Sequence, residues 1–198
     1  MYYDSLPVFN VMDHGAVGDG ATDDTAAIQN TIAMIPGPVG LKQGGGIVFF
    51  PEGTYLISAP LRLLQAYTAI TGHSKGASVI RLDQQHWSGA LSPVDTSKSY
   101  MLDKNHSSVT DCTISDLTFD GQAQNAPADG TSKTQSGILV LSRDIISRVN
   151  LYDIWGYGLF IFGDSGEYAM RLVYDRIGAL TFEAVDAAYE GRHGMMRE

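Results

Sequence analysis

Two glycine-punctuated stretches decide the fold of this 198-residue chain: DHGAVGDGATDDTAAIQ at residues 13–29 and GGGIVFFPEGTY at residues 44–55. In the first stretch a loop leads into a helix, because Thr22, Asp23 and Asp24 offer N-cap oxygens and favourable negative charge. In the second, a continuous apolar run predicts a strand buried on both faces, and the turn after it predicts a further strand. These pieces are typical of the opening of a single specific fold.

The spacing of apolar residues gives the limits of the first elements. The segment Val8-Phe9-Asn10-Val11 predicts a short entry strand. Ile28, Ile32 and Ile35 recur at i, i+4 and i+7, which makes one apolar stripe along the helix. Pro36-Gly37-Pro38 then ends that helix.

Together and in this order, the two stretches resemble the N-terminal signature of pectate-lyase-superfamily β-helices, a fold used by phage tail proteins and by polysaccharide-acting enzymes. The resemblance implies that the helix caps the first coil and that its aspartates are cap and loop residues without a catalytic role. A bare β-helix end is apolar and open to strand addition, and an amphipathic helix laid across it covers both. We therefore predict an all-β fold, a right-handed parallel β-helix or solenoid with an N-terminal capping α-helix.

Internal echoes predict stacked coils in the rest of the chain. Residues 114–119 and 146–151 share the pattern Ile-Ser-x-apolar-x-apolar, which places their apolar side chains inward on successive layers. Residues 151–156 return as residues 173–178, an offset of about one coil for repeat folds of this kind. Two further strands of adjacent coils are predicted at residues 137–140 and 158–161.

These patterns divide the chain into three parts. Residues 1–70 hold the entry strand, the capping helix and the first coil, and residues 71–182 hold the coils with their loop excursions. Residues 183–198 form a C-terminal tail or cap. We predict one excursion between Asp120 and Gln135, and a second from Gln84 to Asn105, whose apolar residues, with Trp87 and Tyr100 among them, follow neither strand nor helix period.

Composition limits the classes of function. A chain with 44% hydrophobic residues can bury the core of one domain, and 22 glycines with 18% charged residues favour turn-rich β structure. The net charge of −9 repels nucleic acid and anionic lipid, and no stretch approaches the ~20 apolar residues of a membrane span. The start has no visible signal peptide. The single cysteine, Cys112, is expected to be a buried thiol.

The resemblance implies chemistry by carboxylates, sometimes with a calcium ion or a basic residue, on the outer face of a parallel sheet in the middle coils. The acidic candidates are Asp120, Asp144, Asp153, Asp164, Glu167 and Asp175. Of these, Asp120, Asp153 and Asp175 are the predicted catalytic residues. Asp153 and Asp175 are equivalent in the echo and would stack at ~5 Å, the strand spacing. In the alternative interpretation, each aspartate only bonds backbone amides in a turn.

Tyr152, Trp155 and Tyr174 are the predicted substrate-binding residues, because exposed rings stack on sugar faces. Alternatively, these rings complete a half-buried sheet surface. The five histidines are scattered without metal-ligand spacing, so we predict no metal site and no cofactor other than the calcium that the family sometimes uses. The chain also has no Gly-x-Ser-x-Gly nucleophile motif.

Three functional hypotheses follow. The first is a tailspike-like phage tail component, a homotrimer in the virion that binds or degrades a cell-surface polysaccharide. The second is a stand-alone, extracellular polysaccharide lyase, glycoside hydrolase or epimerase, whose catalytic positions the length of family enzymes places beyond residue 198. The third is a structural or adhesive module without chemistry. In each case a last coil at Leu180 and Phe182 would leave an apolar layer, so we expect an oligomer or a partner chain to cover it.

Overall fold

Three parallel sheets wind around one apolar core in the computed structural model, which describes residues 6–38, 44–94, 96–97, 99–125, 135–141, 143–154, 156–161 and 171–173. The chain is a right-handed parallel β-helix, as the sequence predicts. Its six-stranded sheet contains β1 (Val8–Asn10), β3 (Gly46–Phe50), β6 (Thr68–Gly72), β9 (Thr113–Ser115), β12 (Ile145–Ser147) and β15 (Arg171–Val173). The five-stranded sheet contains β2 (Asp19–Asp23), β4 (Gly53–Ile57), β7 (Ser78–Leu82), β10 (Thr118–Asp120) and β13 (Asn150–Tyr152). The four-stranded sheet contains β5 (Leu61–Leu63), β8 (Ser99–Lys104), β11 (Gln135–Val140) and β14 (Leu159–Ile161).

After the first coil, which contributes only β1 and β2, each coil visits the three sheets in the same order, and the strands of successive coils pair with one another. The inward positions form ladders, of which Ile70, Ile114 and Ile146 are one example. Strand β3 alternates between buried and half-buried residues, so the prediction that it is buried on both faces was wrong: Ile47 and Phe49 point outward. A coil has one inner and one outer face, and only the inner face meets the core.

The helix α1 (Thr25–Ala33) packs its predicted apolar stripe into the core. Ile28, Ile32 and Ile35 are all buried, although Ile35 lies just beyond the end of the helix. The predicted helix cap differs in detail, because the Asp24 carboxylate makes no capping bond. Instead, Asp23 Oδ1 accepts a hydrogen bond from the Thr25 amide at 3.0 Å. No helix in the part of the chain that the structure describes is long and apolar enough to cross a membrane.

Two of the sequence echoes give the observed strand register, and one does not. Ile114 lies opposite Ile146, and Ile138 lies opposite Leu159, as predicted. The echo of residues 151–156 in residues 173–178 was wrong as a register, because Val173 lies opposite Ser147 in the six-stranded sheet. The reason is that coil length varies along the chain, so similar hexapeptides do not occupy the same position in their coils.

The prediction of a loop excursion from Gln84 to Asn105 was wrong for the second part of that segment. Its second part is β8, in which every residue is buried and Tyr100 has no exposed surface. A strand buried on both faces has no alternation of apolar and polar residues, so period alone could not find it. The first part does form a long connection, whose Val94 packs against the cluster formed by Tyr100, Leu139 and Phe160.

Two corners of the coils carry arginine–aspartate ion pairs between residues with positive φ. Arg143 pairs with Asp111, and Arg148 pairs with Asp116, one coil apart in each case. Each arginine donates two hydrogen bonds to its carboxylate, at distances between 2.5 and 2.7 Å. The guanidinium groups lower the pKa of both carboxyls below their ordinary value.

The corner pairs predict a specific acid sensitivity. A carboxyl whose pKa is lower in the folded chain adds stability above its unfolded pKa of about 4 and loses it as the pH falls further. We therefore expect R143M/R148M to unfold at lower urea than wild type at pH 7, with a difference that shrinks steadily below about pH 4. Urea unfolding at several pH values measures this. A difference that did not vary with pH would contradict it.

Candidate functional site

A straight outward row crosses the five-stranded sheet close to the ends of its strands. Leu56, Arg81, Asp120 and Tyr152 lie opposite one another in register on β4, β7, β10 and β13. They point outward because their neighbours Tyr55, Ile80 and Phe119 are fully buried in the core. We call these four residues the outer row. It brings together two residues that the sequence predicted, Asp120 and Tyr152.

Asp120 is held firmly within the row. Its Oδ2 accepts hydrogen bonds from Arg81 Nε at 3.0 Å and from Gln122 Nε2 at 2.6 Å, and its Oδ1 accepts one from the Gln122 amide at 3.3 Å. Only 7% of its side chain is exposed. The carboxylate is therefore fixed in orientation and has little room to move.

Arg81 was not predicted from the sequence. Its side chain is 38% exposed and binds Asp120 through Nε. The signal that could have found it is the alternation of β7, where Arg81 is an outward charge between the inward residues Ile80 and Leu82. Its partner lies 39 residues away along the chain, and no local pattern indicates that distance.

Tyr152 and Asp153 stand at the far end of the row. Tyr152 is 62% exposed, the most exposed large hydrophobic side chain among the described residues. Asp153 follows it at a corner with φ +49°, and its Oδ2 accepts a hydrogen bond from the Gln124 amide at 3.3 Å. Because Asp120 is opposite Tyr152, Asp153 and Asp120 lie one residue apart on neighbouring strands.

The remaining predicted site residues divide into two groups. Trp155, Tyr174 and Asp175 lie outside the described residues, as do Asp164 and Glu167. Asp144 is fully buried, and its carboxylate accepts the amides of Cys112 and Leu141 and lies 3.0 Å from Lys104 Nζ. Asp144 therefore links two coil corners inside the protein through its hydrogen bonds, and a substrate cannot reach it.

In the described part of the chain, no group of three His, Cys, Asp or Glu side chains lies close enough together to hold a metal ion. Calcium therefore stays a prediction. The outer row offers other chemistry, namely an exposed ring for stacking, a fixed carboxylate to accept hydrogen bonds from hydroxyl groups, and a half-exposed guanidinium to donate them. These groups follow one line along the axis of the β-helix, as a linear polymer would.

Comparison with known proteins places the chain among β-helix proteins. The family model described as "Rhamnogalacturonase A/epimerase, pectate lyase-like" matches residues 8–151. Alginate lyase 7 of Azotobacter vinelandii is 35% identical over 127 residues, which cover 61% of this chain and 13% of that protein. Mannuronan C5-epimerase AlgE3 of the same organism is 32% identical over 163 residues, which cover 76% of this chain and 8% of that protein.

Two solved structures resemble the chain. The A-module of mannuronan C-5 epimerase AlgE4 from Azotobacter vinelandii has a TM-score of 0.61 at 25% identity, over 85% of this chain and 45% of that one. ORF18 of Geobacillus virus E2 has a TM-score of 0.58 at 23% identity, over 77% of this chain and 27% of that one, which is a likeness of fold. The chain thus spans less than a sixth of the first two relatives and less than half of either structure.

Proposed function

Because this chain belongs to the rhamnogalacturonase A/epimerase, pectate lyase-like family, we propose that it is part of a tailspike-like phage tail protein that binds or degrades a cell-surface polysaccharide. The observation that carries the proposal is the outer row, in which exposed Tyr152 stands in register with Asp120 and Arg81. Parallel strands repeat at ~4.8 Å, so the row offers a regular line of contacts to a polymer lying along the axis. The similarity of its fold to a viral protein supports the phage assignment.

In this proposal Tyr152 stacks on the face of a sugar ring, while Asp120 and Arg81 bond its hydroxyl groups. Asp153 and Asp120 are the carboxylates nearest that ring, and a pair of carboxylates across a glycosidic bond is what hydrolysis requires. Trp155, Tyr174 and Asp175 lie outside the described residues and stay predicted members of the site. Calcium, where the polymer is acidic, would lie between its carboxylates and those of the protein.

The first test is loss of the stacking ring. We expect Y152A to weaken polysaccharide binding about two- to twelvefold, since an aromatic contact contributes ~0.5–1.5 kcal/mol. Y152F keeps the ring and should bind like wild type. V8A is the matched control, because Val8 is 61% exposed on the six-stranded sheet, away from the row. Titration calorimetry with fractionated bacterial surface polysaccharides measures the affinities, and equal affinity of Y152A and wild type would exclude the outer row.

A second candidate function is that of a polysaccharide lyase or epimerase, which the similarity to alginate lyase 7 and AlgE3 favours. Incubating the chain with alginate and mannuronan separates the two activities. A lyase produces chain ends with an unsaturated sugar, a hydrolase releases reducing ends without unsaturation, and an epimerase changes the sugar configuration without cleavage. Binding without any of these products would support an attachment role.

We further propose that the chain works as a homotrimer, in the virion or outside the cell. Light scattering during size-exclusion chromatography gives the mass directly. A monomer that unfolds cooperatively would overturn the trimer and leave the polysaccharide proposal standing.

A further inference from the structure

Strand β2 is the edge of the five-stranded sheet. It pairs on one side with β4, and no described strand lies on its other side. Its residues are exposed except for half-buried Gly20. An exposed edge of this kind is a template for pairing with the strand of another chain, unless its backbone groups are otherwise occupied.

The backbone amides in the middle of β2 are already bound. Asp19 Oδ1 accepts hydrogen bonds from the amides of Ala21 at 2.9 Å and Thr22 at 2.7 Å. Asp19 Oδ2 accepts another from Thr22 Oγ1 at 2.9 Å. These bonds lower the pKa of the Asp19 carboxyl below its ordinary value, so the carboxylate is ionised at neutral pH. One side chain of the edge strand thus satisfies two consecutive backbone donors in the middle of β2.

Two other features also disfavour the pairing of another strand with β2. The register of β2 against β4 shifts between Asp19 and Asp23, and Gly20 has φ +75°, so the strand is kinked where a partner would need a straight edge. A second copy of this chain would also bring its own acidic residues against this edge, in a molecule whose net charge is already −9.

We propose that Asp19 closes the β2 edge against strand addition by a second copy of this chain. The carboxylate does so by occupying the central amide donors and by adding negative charge there. The α1 helix covers the apolar end of the coil, and Asp19 protects the neighbouring sheet edge, which the helix does not pair with. Self-association of the protein must then use another surface.

Replacement of Asp19 tests the proposal. D19A removes both the acceptor and the charge, D19N removes the charge and keeps one acceptor oxygen, and D13A removes the charge of an exposed aspartate outside β2. In light scattering over a range of concentrations, we expect D19A to form concentration-dependent species larger than those of wild type. D13A should match wild type, and D19N should associate less than D19A.

Hydrogen exchange gives an independent readout. In wild type the amides of Ala21 and Thr22 should be protected, and in dilute D19A they should exchange about tenfold faster. At high concentration D19A should regain protection at these two amides, because a partner strand replaces the carboxylate. Circular dichroism establishes that each variant is folded, and D19N carries the test if D19A is not.

Two outcomes overturn the proposal. In the first, folded D19A and D19N both keep the wild-type mass at every concentration. In the second, the amides of Ala21 and Thr22 in wild type exchange at the rate of an unstructured chain, so that Asp19 does not hold them.

Discussion

Replacing Lys104 by methionine is expected to lower the free energy of unfolding by about 3–5 kcal/mol, the usual result of removing one partner of a buried ion pair. Lys104 Nζ lies 3.0 Å from Asp144 Oδ2, and neither side chain has exposed surface. Without the ammonium group, the carboxylate stays buried and its charge is no longer balanced. Urea unfolding followed by circular dichroism measures the change.

The same pair predicts an order of effects. D144A should be more destabilising than K104M, because it also leaves the amides of Cys112 and Leu141 without an acceptor. R148M is the matched control, since it removes a cation from an ion pair whose arginine side chain is 56% exposed. Its expected cost is at most about 1 kcal/mol. If K104M were no more destabilising than R148M, the buried pair would contribute nothing particular to the fold.

The structural role of Asp144 could not be predicted from the sequence. In the sequence it is one of six acidic candidates, like Asp120, although it is not among the three predicted catalytic residues. The residue that makes it structural, Lys104, lies in a segment whose apolar residues follow no period. Only the stacking of coils brings the two side chains together, and coil lengths cannot be read from local pattern.

Variable coil length also explains the uneven success of the echoes. The step from Ile114 to Ile146 is 32 residues, and the step from Ile138 to Leu159 is 21. Since the predicted echo of residues 151–156 in residues 173–178 lies within this range, its length gave no warning that the register was wrong. The architecture, the capping helix and two ladders could be predicted, because inward alternation and the helical stripe are local signals.

Candidate site residues were predictable to a similar extent. Asp120 and Tyr152 lie in the outer row because each ends a short strand with a recognisable inward residue before it. Arg81 was not predicted, because its role comes from a contact with Asp120 on the neighbouring strand of the next coil. A row of this kind is a property of the register between strands, and the sequence of any single strand contains only one member of it.

The largest effect in the N-terminal motif is expected at Asp24, whose carboxylate ties the glycine loop to the start of α1. Asp24 is 1% exposed, and its oxygens accept the amides of Val17 at 2.7 Å and Gly18 at 3.1 Å. That loop packs on Tyr55, which is fully buried. D24A leaves two amides without an acceptor, at ~1–3 kcal/mol each, so we expect a loss of roughly 2–6 kcal/mol.

D23A is the comparison that isolates this role. Asp23 is the neighbouring aspartate and makes the bond to the Thr25 amide near the helix start, but it is exposed, so its removal should cost about 1 kcal/mol. Thermal and urea unfolding of both variants measure the difference. If D23A were the more damaging change, the motif would act mainly as a helix cap. If D24A is the more damaging change, Asp24 holds the conformation of the glycine loop. The polysaccharide affinity of D24A, measured below its unfolding transition, should then match wild type.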